Sequence, residues 1–151
     1  MNIVEVRGVK IGEGTPKIIV PIVGVTKEDT LSAATSFGDV KYDIVEWRVD
    51  WFEDVFDFAK VEDTAKALRD VLGDKPILFT FRTSKEGGEK AIEPAAYVEL
   101  NSKIAATGLV DMIDVEAFTG DDYVKEIIEA AHKNNVKVVA SNHDFGKTPA
   151  K

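Results

Sequence analysis

Apolar and polar residues alternate in five short runs along this chain, and helical spacing separates one run from the next. The runs fall near residues 17–24, 43–50, 76–82, 110–116 and 136–141, with helical patterns near 27–37, 60–72, 94–106 and 121–134. Side chains alternate across a strand with a period of two, so each run sorts into two faces. Val45, Trp47 and Val49 make one apolar face, while Ile44, Glu46, Arg48 and Asp50 share the other. In the third run Leu78, Thr80 and Arg82 oppose Phe79 and Phe81. In the fourth, Met112, Asp114 and Glu116 oppose Ile113 and Val115; in the fifth, Val139, Ser141 and His143 line up, with Asn142 and Asp144 opposite. Strands joined by single helices predict βαβ units and a parallel sheet. Both faces of such a sheet are ordinarily apolar. Charged groups at the C-terminal ends of separate runs therefore predict a rim built for chemistry.

Local signals frame the elements. Pro94 suits a first helical turn, Gly73 suits the stop after Leu72, and Asn134-Asn135 closes the last helix. Ile3-Val4-Glu5-Val6 and Val9-Lys10-Ile11 flank Arg7-Gly8 and predict a hairpin, and Gly12-Glu13-Gly14 turns into the first parallel strand. The division is a hairpin over 1–14 and barrel strands one to five over 17–151, within one domain. A doubly wound nucleotide fold would need a glycine-rich phosphate turn after its first strand, and Val23-Gly24-Val25-Thr26 is not one. Glu86-Gly87-Gly88 is too short to count and reads as a turn. The alternative is a (β/α)8 barrel, whose chemistry gathers where strands end, although five strands are too few to close it.

Composition narrows the chemistry. A formal net charge of -8 argues against a broad nucleic-acid footprint, while a few arginines can still set the field for an anionic small molecule. With no cysteine there is no disulfide, thiolate metal site or cysteine nucleophile. His132 and His143 lack zinc-site spacing, so no metal is expected. No run approaches the ~18 apolar residues of a membrane span, and the N-terminus lacks a signal-peptide build. The cytoplasm is the expected compartment.

Each charged residue also has a structural explanation. Glu46 and Arg48 could be a plain ion pair, and such pairs stabilise little when exposed. Arg82 could be a surface residue and His143 a loop histidine. A carboxylate such as Glu86 beside His143 could, however, orient the imidazole for proton transfer. His132 beside Lys133 reads as a solvated helix end, Thr119-Gly120-Asp121-Asp122 as a helix N-terminus, and Trp51, Phe52, Phe56 and Phe58 as packing. Residues alone thus support a barrel-like enzyme with a His/Glu proton-transfer pair and two arginines.

Four ordered motifs carry the reading further: Glu46-Trp47-Arg48-Val49-Asp50, Phe79-Thr80-Phe81-Arg82 with Glu86-Gly87-Gly88, Asp114-Val115-Glu116, and Ser141-Asn142-His143-Asp144-Phe145 with Lys147-Thr148-Pro149. Together they resemble type I 3-dehydroquinate dehydratase along the whole chain. The resemblance implies an α/β fold, here a partial (β/α)8 TIM barrel with an N-terminal β-hairpin and about five of eight parallel strands. It also implies a hydro-lyase of the shikimate pathway that dehydrates 3-dehydroquinate through a lysine Schiff base, without metal or cofactor. His143 would be the acid/base and Glu86 its orienting partner, while Glu46, Arg48 and Arg82 would hold substrate.

The same resemblance places the Schiff-base lysine on a sixth strand, whereas Lys147 and Lys151 belong to the loop after the fifth. Some relatives use a hydroxyl at the end of the first strand, where this sequence has Pro21. The expectation is a truncated chain, inactive alone, that self-associates as a homo-oligomer such as a dimer or is completed by a C-terminal fragment. The rival expectation is a non-catalytic half-barrel that binds a partner or a small molecule. A weaker one is another aldolase-like barrel with a different carbonyl substrate.

Overall fold

The computed structural model describes residues 3–148; Pro149 and Lys151, which the sequence reading placed in the last motif and loop, lie outside them. Strands β1 (Val4–Val6) and β2 (Val9–Ile11) form the antiparallel hairpin, with Val4 opposite Ile11. There follow β3 (Ile19–Ile22), α1 (Lys27–Thr35), β4 (Ile44–Arg48), α2 (Phe58–Leu72) and β5 (Ile77–Thr80). The chain continues through α3 (Pro94–Ala106), β6 (Met112–Glu116), α4 (Asp121–Lys133) and β7 (Lys137–Ser141). The last five strands are parallel and lie in the order β3-β4-β5-β6-β7. A doubly wound sheet reverses direction at a switch point. This one steps steadily one way, as the wall of a (β/α) barrel does.

The strands are shorter than the alternation predicts, for local reasons. The run 43–50 stops at Arg48 because Val49–Trp51 fold into a 3-10 turn, which takes Asp50 off the strand. The run 76–82 stops at Thr80, and its pairing with β6 spans only Leu78 and Phe79. Helix α1 opens on a capping box between Thr26 and Asp29, and it ends two residues earlier than the predicted 37. At that end the hydroxyls of Thr35 and Ser36 bond back to the carbonyls of Leu31, Ser32 and Ala33, competing with a further helical turn. Asp57 caps α2 and starts it at Phe58, earlier than the predicted 60. Pro94 occupies the first turn of α3, and Gly73, with φ 57°, ends α2.

Two apolar layers follow from the period of two. On the outer sheet face Val45, Trp47, Phe79, Ile113 and Val115 pack against Val61, Leu68, Ile104 and Ile127 of the helices. Trp47 meets Phe79 edge to face, with ring centroids 5.5 Å apart. On the inner face Ile44, Leu78 and Met112 form a smaller layer with Val6 of the hairpin, so β1 and β2 cover the N-terminal end of that face. The aromatic group expected to pack does so only in part. Phe52 is buried and Phe58 packs on the core, whereas Trp51 and Phe56 are exposed, because the chain has left the strand there.

Two polar links hold the frame. At the N-terminal end the Asp111 carboxylate accepts from Arg7 at 2.6 Å, Arg69 at 2.6 Å and the Ile77 N–H at 2.9 Å, joining the hairpin, α2 and β5 to the start of β6. On the helical side the Tyr97 hydroxyl donates to the Asp114 carbonyl and accepts from the Glu116 N–H, both at 3.2 Å, tying α3 to β6. Burial above all pushes the Tyr97 phenol over its ordinary value, with the Asp114 and Glu116 carboxylates adding to the effect.

Asp111→Ala should cost about 2 kcal/mol in urea unfolding, since it leaves the Ile77 N–H unmet and removes the carboxylate that Arg7 and Arg69 share, although Arg69 keeps its carbonyl partners. Asp74→Ala, which removes a fully exposed partner of Arg7, should stay within about 0.5 kcal/mol. Tyr97 generates a pH prediction. The unfolded phenol ionises near pH 10 and the folded one only higher. Its contribution is therefore whole below about pH 10 and is lost as pH rises above that. Tyr97→Phe should cost about 1–2 kcal/mol at neutral pH and flatten the alkaline decline, measured by urea unfolding across that range.

Candidate active site

The inner face changes from apolar to ionic toward the strands' C-terminal ends. On β4, Glu46 and Arg48 follow Ile44; on β5, Thr80 follows Leu78; on β6, Asp114 and Glu116 follow Met112. Parallel register sets Pro21 beside Glu46 and Arg48 beside Thr80. Pro21 lies on an edge strand of this sheet, where a missing N–H is tolerated.

Each ion has a defined partner. The Glu46 carboxylate accepts from the Thr80 hydroxyl at 2.8 Å. Arg48 does not pair with Glu46 as a simple ion-pair reading would have it. Its guanidinium forks onto both oxygens of the fully buried Asp50, at 2.8 Å each. That hydrogen bond raises the Arg48 pKa further; burial opposes the shift, and Glu46 adds to it while nearby Arg82 subtracts. Asp50 also accepts from the Arg82 N–H at 3.3 Å and the Glu89 N–H at 3.1 Å, so the 3-10 turn after β4 fastens the loop after β5.

Arg82 is nearly buried. Its guanidinium meets Asp114 at 3.0 Å, Glu116 at 3.1 Å and the Ser141 hydroxyl at 2.9 Å, with Glu86 at 3.6 Å. Ser141 in turn donates to Asp114 at 2.7 Å. Burial works against the Arg82 charge, yet the Asp114 and Glu116 carboxylates outweigh it and raise the pKa.

Glu86 reaches His143 across the rim. One of its oxygens accepts from both the His143 backbone N–H and ring Nδ1, each at 2.9 Å. An ionised carboxylate can only accept, so Nδ1 carries the hydrogen and a neutral ring keeps its lone pair on Nε2, the arrangement a general base requires. Glu86 sits at the end of a short turn, Ser84–Glu86, closed by Gly87 at φ 87°. Gly88 packs on the Arg82 carbonyl, where a Cβ would lie 1.9 Å from the oxygen. The glycine pair thus shapes this loop. A cleft of about 380 Å3 opens beside the pair, with Thr83, Glu86, Tyr97, Glu116 and His143 among its walls; Glu46, Arg48 and Arg82 do not line it.

The structure therefore brings Glu86 and His143 into contact, sets Arg82 beside Glu86, and places Glu46 and Arg48 one strand away. His132 is exposed in the last turn of α4, as a solvated helix-end residue should be. Sequence reasoning assigned no role to Asp50, Asp114, Glu116, Ser141 or Thr83. Alternation had put the first four on the inner row, whereas Thr83 carries no sequence signal at all.

The family described as type I 3-dehydroquinase matches residues 18–151. A 3-dehydroquinate dehydratase of Clostridium botulinum is 56% identical over 150 residues, covering 99% of this chain and 59% of the relative. One from Salmonella typhimurium is 51% identical over 150 residues, covering 99% and 60%. The crystal structure of the type I 3-dehydroquinate dehydratase of Clostridium difficile, with covalently modified comenic acid, superposes with a TM-score of 0.95 at 50% identity, covering 98% of this chain and 58% of that one. The Geobacillus kaustophilus 3-dehydroquinate dehydratase gives 0.93 at 32% identity, covering 98% and 58%. The chain spans about 60% of the length of the curated relatives it matches. It belongs to the type I 3-dehydroquinase family.

Proposed function

We propose that this chain supplies the substrate-recognition and proton-transfer side of a 3-dehydroquinate dehydratase, a hydro-lyase of the shikimate pathway. The observation that carries the reading is the double contact of Glu86 with His143, at a rim that also presents Glu46, Arg48 and Arg82. In the reaction, a ketone held as a protonated imine makes the neighbouring C–H acidic. His143 removes that proton through Nε2, and the electron pair moves into the protonated nitrogen. The hydroxyl group beyond the new carbanion centre then leaves as water, taking a proton from His143, and hydrolysis of the imine releases the enone. Glu86 holds the imidazole in the required tautomer and stabilises its cation. Glu46, Arg48 and Arg82 bind the hydroxylated ring.

The electron sink has to come from elsewhere. Among the described residues, β3–β7 carry no lysine on the C-terminal half of their inner face, and Lys90 is engaged with the Asp50 and Phe52 carbonyls. Nucleophile and base act as a unit, so removing one abolishes most of the catalysis. Among the described residues, β3 and β7 each pair on one side, and Ile18, Ile19 and Val23 are exposed along β3. Open apolar edges of this kind recruit further strands. We propose that a second copy, or a segment completing the barrel, covers them.

Titration of 3-dehydroquinate into the isotopically labelled chain should shift amides around Glu46, Arg48, Arg82 and His143, and Arg48→Ala should weaken binding about tenfold, roughly 1.5 kcal/mol. Shifts confined to other faces would favour a non-catalytic binding module instead. Borohydride added to that mixture should leave the mass of the chain unchanged; a stoichiometric adduct would show that these strands do form the imine. Light scattering should find a dimer or larger assembly, and a cooperatively unfolding monomer would count against covered edges.

A further inference from the structure

Glu86 belongs to a loop that Asp50 fastens on one flank, through the Arg82 and Glu89 N–H groups, and that a second carboxylate holds on the other. The root of the loop is Thr83, whose carbonyl accepts the N–H groups of Glu86 at 3.0 Å and Gly88 at 2.8 Å. Thr83 is gripped in turn by Glu116 of β6. The Thr83 N–H donates to Oε1 and its hydroxyl to Oε2, both at 2.8 Å, and all of these atoms are buried. Glu116 makes no hydrogen bond to the imidazole; its remaining contact is the Arg82 guanidinium at 3.1 Å, which itself stands 3.6 Å from Glu86, so a variant at Thr83 is needed to separate the two routes. A carboxylate with only 4% of its side chain exposed is costly to bury unless its hydrogen bonds are made. Its two oxygens are therefore committed to one loop geometry.

We propose that Glu116 is a positioning residue for the Glu86–His143 pair, acting through Thr83. The bidentate grip sets the height of the short turn after Thr83, and the turn sets where the Glu86 carboxylate meets Nδ1 and the backbone N–H of His143. The grip belongs to a strand that is buried along its length, whereas both members of the pair belong to loops. The functional meaning rests on the proton-transfer reading given above; the mechanical link does not.

The test uses the ligand-free chain, so it stands whether or not 3-dehydroquinate binds. Nitrogen-15 shifts of the imidazole report its tautomer, and hydrogen exchange reports the His143 amide that Glu86 accepts. Glu116→Gln puts an amide donor against donors. Thr83→Val removes the hydroxyl at constant shape while keeping the backbone bond, and protects the test if the first variant fails to fold. Both should shift His143 away from the Nδ1–H tautomer and speed exchange of its amide about tenfold in Glu116→Gln and less in Thr83→Val. Amides of Phe79 and Ile113 should stay protected, and Thr83→Ser should restore the parent tautomer. An unchanged tautomer in both variants, or exchange that rises equally in the core strands, would overturn the proposal. Loss of 3-dehydroquinate binding in the parent chain would instead sink the functional reading and leave this link standing.

Discussion

The guanidinium of Arg82 has only 7% of its side chain exposed, and a charge taken that far out of water is tolerated only where other groups meet its N–H bonds. Asp114 and Glu116 of β6 and Ser141 of β7 do so, and Glu86 stands just beyond. One cation from the end of β5 thus fastens two neighbouring strands and the loop that carries the His143 partner. Without it, three carboxylates would face one another across a narrow rim, and the like-charge repulsion would drive them apart or protonate them. Arg48 and Asp50 repeat the device at β4, with a fork of two parallel bonds whose planar geometry a lysine could not reproduce.

Much of this was legible in the order of residues. A period of two assigns Glu46, Arg48, Arg82, Asp114, Glu116 and Ser141 to one face, and their places near strand ends put them on one rim. Pairing is another matter. Glu46 and Arg48 are two apart on one strand, which makes them look like each other's partners, yet Arg48 turns to Asp50. The backbone leaves the strand at Val49, and the 3-10 turn brings Asp50 back under the guanidinium. Alternation puts Asp50 in the same row as Glu46 and cannot choose between the two as the partner of Arg48. The exposed Trp51 and Phe56 miss the core because the backbone has left the strand.

The Glu86 loop shows a different limit. Composition identifies it as a turn, and Gly87 supplies the left-handed residue that ends the Ser84–Glu86 segment. Yet its position comes from distant residues, with Asp50 holding the N–H groups of Arg82 and Glu89 on one flank and Glu116 holding Thr83 on the other. These bonds bridge more than thirty residues of sequence. Local pattern therefore shows that a loop is present and tells little about where its carboxylate points.

Catalytic groups on loops need precision that loop backbone does not provide, since a misplacement of about an ångström can cost two orders of magnitude in rate. Here the outer face of the sheet is sealed by apolar packing with Trp47 and Phe79 at its centre, which keeps β4, β5 and β6 in fixed register. Buried carboxylates at the ends of those strands convert that register into the placement of loop atoms. Hydrogen bonds run in series from strand carboxylate to loop amide and from loop carboxylate to imidazole. The inner face can then stay polar at the strands' C-terminal ends, because the larger apolar layer of the sheet lies on its other side.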